Sequence, residues 1–213
     1  QQAQTTQAAP TEQPTPEPDP VQQLLEEMTL EQKVGQLFLV RPDSLDLSQT
    51  QDQINDAKAD GVTELTDAMR QTLAEYPVGG VVIFGKNLES PQQITQFLDD
   101  LQQASDTPLF TAIDEEGGLV ARLANNAAFD LPQYESAAAV GTSGNPEDAR
   151  AMGRTIGGYL KEYGFNLDFA PVADVNTNPD NPVIGTRAFS SEPQTAADLV
   201  GGACAGFADA GIA

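Results

Sequence analysis

The 213-residue sequence contains no histidine, no tryptophan and a single cysteine. Without histidine there is no imidazole to act as base, nucleophile or ligand. One cysteine excludes an internal disulfide and a cysteine-based zinc site. Positive charge is scarce: ten Lys and Arg stand against 32 Asp and Glu, a formal net charge of −22. Nucleic-acid binding needs clustered Lys and Arg, and this balance argues against it. No apolar run approaches the roughly 20 residues of a membrane-spanning helix. The acidic residues form no repeated oxygen-ligand loop of the EF-hand kind, so no metal site is expected. The surplus negative charge reads as solvated surface. What remains, 39% apolar residues, can build a real core.

Residues 1–20 differ from the rest. They hold five Pro, five Gln, four Thr and three Ala, with no Lys, Arg or large apolar side chain. Such a segment buries too little surface to offset its ordering entropy, so it is expected to be a flexible, partly polyproline-like tether. A Gln/Thr/Pro stalk, strong acidity and the lack of cysteine pairs suit an exported bacterial protein, secreted or held at the cell surface as a lipoprotein. An ordinary disordered terminus is the alternative.

The globular pattern runs over 21–213. Val21 to Val34 reads as helix, and the capping-box sequence from Thr29 to Gln32 allows a break at Met28. Leu37 to Val40 is a buried strand candidate, Pro42 to Asp60 is irregular, and Thr66 to Tyr76 is helical. Gly79 to Gly85 is an unbroken apolar strand of the kind buried on both faces of a parallel sheet. Ser90-Pro91-Gln92-Gln93 starts a helix whose Ile94, Phe97, Leu98 and Leu101 form one stripe. Leu109 to Ile113 is a third strand. A helix begins at Asn145 and buries Met152, Ile156, Leu160 and Tyr163. Phe165 to Val175 is a fourth strand region, and Pro193 to Ala210 a last helix ended by Gly211.

One helix followed by strand and helix four times argues α/β architecture with a parallel sheet. A doubly wound nucleotide binder should carry a glycine-rich turn after its first strand. Arg41-Pro42-Asp43-Ser44 stands there instead, and there is no P-loop lysine motif, so no nucleotide cofactor is expected. In a (β/α)₈ barrel the chemistry sits at the carboxyl ends of the strands. This chain places Arg41, Lys86 with Asn87, Asp114, and Asp174 with Asn176 at those ends. The densest is Asp114-Glu115-Glu116-Gly117-Gly118: three carboxylates on a strand end, then glycines that permit a sharp turn or close approach to a ligand. Arg122 lies close enough to return to the same rim.

The stretch Ala112-Ile113-Asp114-Glu115-Glu116-Gly117-Gly118-Leu119-Val120-Ala121-Arg122-Leu123 resembles the Asp-Gln-Glu-Gly-Gly-Arg-Val-x-Arg signature of glycoside hydrolase family 3. Among its members the resemblance is to bacterial β-N-acetylhexosaminidases. Met28 to Leu37 resembles the family's opening helix, Gly79 to Phe84 its second strand, Asn166 to Val175 its fourth, and Asn181 to Ser190 the following arginine loop. Leu119 and Ala121 depart from the signature at positions that are often polar.

The resemblance implies an α/β fold built as the N-terminal half of a TIM (β/α)₈ barrel, about four βα units after the tether. It implies a retaining hydrolase of terminal β-linked N-acetylhexosamine, with an N-acetylglucosamine-containing glycan as substrate. The alternatives are a member acting on β-glucosides or xylosides, and a truncated, non-catalytic sugar-binding or interaction fragment. Asp114, Arg122 and Arg187 match positions that contact the sugar in the −1 subsite. A carboxylate accepts hydroxyl protons and a guanidinium donates fixed hydrogen bonds, which suits that role. Structural alternatives are Arg187 as an ion-pair partner in an irregular loop, Glu116 as the residue that orients Arg122, and Asp174 as a scaffold residue bonding the Asn176–Pro182 loop. The nucleophile and acid/base of the family match no position here. The 193 residues after the tether fall short of the roughly 250 of a full barrel, so the catalytic groups are expected beyond Ala213. An exposed half-barrel edge is further expected to favour self-association.

Overall fold

The structure, a computed structural model, describes residues 19–213. The expected tether lies outside the described residues except at its end, where Asp19 and Pro20 already start the first helix. The helices and strands follow in chain order: α1 (Pro20–Glu27), α2 (Leu30–Gly35), β1 (Leu39–Val40), α3 (Gln51–Asn55), α4 (Asp67–Glu75), β2 (Gly80–Ile83), α5 (Pro91–Ala104), β3 (Phe110–Ile113), β4 (Glu115–Gly117), β5 (Val120–Ala121), α6 (Ala137–Gly141), α7 (Pro146–Glu162), β6 (Leu167–Asp168) and α8 (Pro193–Ala210). Short 3₁₀ turns cover Pro42–Leu45, Gly85–Asn87 and Gly185–Arg187.

β1, β2, β3 and β6 form one parallel sheet in that order, with helices in the connections. This is the succession of the first four βα units of a (β/α)₈ barrel. Ala213 continues it: its N–H donates to the Asn166 carbonyl at 3.0 Å and its own carbonyl accepts from the Asp168 N–H at 2.9 Å. Sequential parallel strands put every carboxyl end on one rim, so residues after Val40, Ile83, Ile113 and Asp168 face a common space.

Local chemistry explains where the helices begin. Thr29 and Gln32 form a reciprocal capping box, which splits the first helical segment in two after Met28. Ser90 and Asn145 cap α5 and α7 through their side chains, each with a proline in the first position. Gly211, with φ of 78°, ends α8 in the left-handed conformation. Val81, Ile83, Ile113, Ile94, Leu98, Leu101, Ile156 and Leu160 are fully buried between sheet and helices.

Two expected strands are shorter than the apolar runs that announced them. Leu37 and Phe38 are 79% and 55% exposed, and their N–H groups turn back onto the Val34 and Gly35 carbonyls. Only Leu39 and Val40 are left to pair. The run from Phe165 to Val175 pairs as strand only at Leu167–Asp168. The irregular Pro42–Asp60 stretch contains the 3₁₀ turn and the short α3. The stretch after Asp114 folds as an antiparallel hairpin, β4 with β5, turned by Gly117 and Gly118 at φ of 83° and 75°. Among the described residues no helix is long and apolar enough to cross a membrane.

α7 and α8 approach closely through glycine. A Cβ on Gly153 would meet the Ala203 carbonyl, and one on Gly206 would meet the Arg150 carbonyl. The contact is backbone on backbone, so neither side can yield by a rotamer change. Gly206→Ala should therefore lower stability by about 1–3 kcal/mol, read as a reduced urea midpoint with an unchanged slope. An unchanged midpoint would contradict the tight crossing.

Candidate functional site

The hairpin directly after β3 places its three carboxylates by alternation, since adjacent side chains on a strand point to opposite faces. Asp114 and Glu116 turn toward the rim; Glu115 between them turns into the core. Arg122, at the end of β5, comes back beside Asp114 and donates through Nη2 to its carboxylate at 3.0 Å. These side chains stay 34% and 26% exposed, so the pair is open to a ligand. Arg187 arrives from the far 3₁₀ turn and grips Glu116 with a two-pronged bond, Nε at 2.8 Å and Nη2 at 2.6 Å. Such a fork fixes both the guanidinium plane and the carboxylate. The Val183 carbonyl accepts a third bond from Arg187 at 3.2 Å.

Glu115 is fully buried. Its carboxylate accepts from the backbone N–H groups of Leu123 and Ala124 at 2.8 and 2.9 Å and from the Tyr159 hydroxyl of α7 at 2.8 Å. Its own N–H donates to Asp168 Oδ1 at 2.9 Å. One side chain thus ties the hairpin, the helix and β6 together. Asp168 is 5% exposed, and its second oxygen is buried without a partner.

Burial pushes the Asp168 carboxyl up to about 8, helped by the charges of Glu115, Asp114 and Glu116 and only partly opposed by the Glu115 N–H. Burial also raises Glu115 above the usual carboxylate range, against the pull of its backbone donors and Tyr159. The Tyr159 hydroxyl is driven far up by burial and by the Glu115 charge, and stays a donor. The bond to Glu116 raises Arg187 above the ordinary guanidinium value.

A second cluster lies beneath the neighbouring strand ends. Asp43 is fully buried and faces Lys86 Nζ at 3.2 Å and Asn87 Nδ2 at 3.0 Å. Lys86 also donates to the Gln53 and Ile54 carbonyls, both at 3.1 Å. Arg41 lies over the Phe84 ring at 4.4 Å from its centre, and Arg122 at 5.8 Å. Among the described residues no group of three or more His, Cys, Asp or Glu is placed to hold a metal ion.

The structure brings together the expected site residues, Asp114, Arg122 and Arg187, on one rim. The alternative that Glu116 orients Arg122 does not hold: Glu116 pairs with Arg187, and Asp114 holds Arg122. Arg187 is an ion-pair partner, as the structural alternative had it, and remains 23% exposed. Asp174 is exposed, and no hydrogen bond ties it to the 176–182 loop. Glu115, Tyr159 and Asp168 went unassigned from sequence, although the alternation rule already sends the middle of three strand carboxylates inward.

Residues 29–213 match the family model of the glycosyl hydrolase family 3 N terminal domain. The chain belongs to glycosyl hydrolase family 3. Similar proteins include the β-hexosaminidase A of Pseudoalteromonas piscicida, 36% identical over 143 residues that cover 65% of this chain and 24% of that protein. A β-hexosaminidase of Alkalilimnicola ehrlichii is 36% identical over 155 residues, 71% of this chain and 44% of the relative. Among solved structures, a family 3 β-N-acetylglucosaminidase from a Paenibacillus species superposes with a TM-score of 0.73 at 35% identity, over 87% of this chain and 32% of that one. LpqI of Mycobacterium tuberculosis gives 0.65 at 28% identity, over 89% and 48%. The family 3 chain described here thus spans less than half the length of these relatives.

Two outcomes are expected of the buried cluster. Tyr159→Phe removes one donor from a buried carboxylate and should cost about 1–3 kcal/mol in a denaturant melt; a neutral effect would contradict the clamp. Asp168 has a folded pKa of about 8, well above an unfolded aspartate near 3.9. Between those values the folded chain holds a proton that the unfolded chain releases. Stability should fall as pH rises through that window, by at most about 1.4 kcal/mol per pH unit, and level off above it. Asp168→Asn should flatten the fall measured between about pH 5 and about pH 8; an undiminished slope would contradict the assignment.

Proposed function

We propose that this family 3 domain carries the sugar-holding part of a glycosidase that removes terminal β-linked N-acetylhexosamine, N-acetylglucosamine above all, with retention. The observation that carries the reading is the rim itself: two carboxylates of one hairpin, Asp114 in a part-exposed pair with Arg122 and Glu116 held by Arg187, whose guanidinium side stays part-exposed. A carboxylate already paired to one guanidinium retains lone pairs for sugar hydroxyls, and the guanidinium retains donors. Acting together, such groups hold a pyranose ring in one orientation while it distorts toward an oxocarbenium-like state. Relatives named as β-hexosaminidases and β-N-acetylglucosaminidases support the choice of sugar.

Retention requires two groups flanking the scissile bond, one attacking the anomeric carbon and one protonating the leaving oxygen. In this reading neither comes from the described residues. Glu115 is locked to three donors inside the core, and Glu116 is held by a two-pronged arginine. The division of the chain into a tether over 1–20 and a barrel segment over 21–213 belongs to the same proposal, as does export to the cell surface.

Titration of the chain with N-acetylglucosamine, followed by amide NMR, should shift the signals of the Asp114–Arg122 hairpin and of the Arg187 turn. Glucose should bind more weakly. Asp114→Asn should weaken the sugar about tenfold with an unchanged melting temperature. Tighter binding of glucose would overturn the choice of sugar. Turnover of an aryl β-N-acetylglucosaminide by this chain alone would overturn the assignment of nucleophile and acid/base to other residues.

A further inference from the structure

Asp114 stands between β3 and β4, outside both ladders, yet the peptide groups on either side of it are held. The Ile113 carbonyl before it accepts the Phe169 N–H at 2.9 Å. The amide after it, the Glu115 N–H, donates to Asp168 Oδ1 at 2.9 Å. Two consecutive residues at the end of β6 therefore grip the chain around Asp114, one through its backbone and one through its side chain. Each peptide group is planar, so holding both fixes the φ and ψ between them. Those two angles aim the Asp114 side chain.

Asp168 is an expensive choice for mere packing. Ile83, Ile113 and Asp168 stand in one register row across β2, β3 and β6, and both isoleucines are fully buried. The third member of this apolar row is a carboxyl that is 5% exposed, with Oδ2 lacking any hydrogen-bond partner. Among the described residues no Lys or Arg pairs with it. The ionisable groups that face it are Asp114, Glu115 and Glu116 of the hairpin and Tyr159 of α7, whose hydroxyl is committed to Glu115. Ala213, on the other edge of β6, meets it through backbone alone. An orphaned polar atom in such a place costs stability. What the side chain gives in return is one bond, and that bond ends on the peptide next to Asp114.

We propose that Asp168 is a positioning residue for the sugar: by holding the Asp114–Glu115 peptide it keeps the Asp114 carboxylate at the angle the ring hydroxyls require. The inference rests on the sugar-binding reading above and adds to it a residue that touches no ligand. It works with a neutral carboxyl, whose carbonyl oxygen accepts the Glu115 N–H while the proton sits on Oδ2. Ionised, Asp168 sets an unpartnered buried charge against Asp114, Glu115 and Glu116, and the grip loosens.

The test titrates the whole chain with N-acetylglucosamine and with glucose by amide NMR, reading affinity on the folded fraction so that a change in stability alone leaves it unmoved. Burial pushes the Asp168 carboxyl up to about 8. Wild-type affinity should therefore fall as pH rises through that value, and the Glu115 amide signal should move with the same midpoint. Asp168→Leu, which suits the apolar row but offers no acceptor, should weaken the sugar about tenfold below that midpoint. Asp168→Asn keeps Oδ1 and cannot ionise, so it should recover most of that loss and bind without the alkaline fall. Should Asp168→Leu fail to fold, the pH profiles of the wild type and Asp168→Asn still decide. A wild-type profile with no fall, a parallel fall in Asp168→Asn, or undiminished affinity in Asp168→Leu would overturn the positioning role while the sugar-binding reading stands. If glucose is the tighter ligand and the dependence on Asp168 holds, the positioning role stands and the choice of sugar falls. Binding of neither sugar would overturn both.

Discussion

A carboxylate with no exposed surface holds three separate parts of this chain in register. Glu115 takes two backbone N–H groups from beyond β5 and the hydroxyl of Tyr159 from α7, while its own amide is held by Asp168 on β6. Burying a charge is costly unless nearly all of its hydrogen-bonding capacity is met. Here it is met by groups distant in sequence, so the bonds form only when hairpin, helix and sheet are all in place. The ion pairs on either side inherit their positions from that arrangement. Asp114 and Glu116 face the rim because Glu115 faces the core.

The rim and the core therefore divide the electrostatic labour. The rim carboxylates are matched by arginines: Asp114 stays part-exposed beside Arg122, and Glu116 is covered by Arg187, whose own side chain stays part-exposed. Inward ones are matched by backbone donors and a tyrosine, and burial shifts their proton affinity upward. Removing an outward partner should change what the rim can hold, whereas removing an inward one should change whether the hairpin forms at all. This contrast is the physical basis for expecting Asp114 substitutions to act on binding and Tyr159 substitutions on stability.

Much of the scaffold was legible in the sequence because its signals are local. Ser90-Pro91 and Asn145-Pro146 announce helix starts through a cap and a preset φ, and α5 and α7 begin there. The split of the first helical segment was legible through the Thr29–Gln32 box. Strand limits were less so, since pairing rather than composition ends a strand, and Leu37 and Phe38 are apolar yet exposed. The partners of the acidic residues were least legible. Glu116 reaches an arginine 71 positions away rather than the nearer Arg122, and the Glu115 amide meets Asp168 across 53 positions. Nothing in the spacing of charges encodes such choices; they follow from how β3, β6 and the 3₁₀ turn at Arg187 come to share one end of the sheet.

The alternation along β4 also limits how this surface can change. With a two-residue period, inserting or deleting one residue between Ile113 and Gly117 exchanges the two faces. It would carry Glu115 out to solvent and drive Asp114 into the space beside Tyr159. Both ion pairs and the clamp would be lost in a single step. Length changes can be absorbed only outside that span, at the exposed Leu119 of the hairpin turn or beyond the Ala124 amide. The number of residues between Ile113 and Gly117 is therefore held constant by the fold, and only those that face the rim are open to substitution.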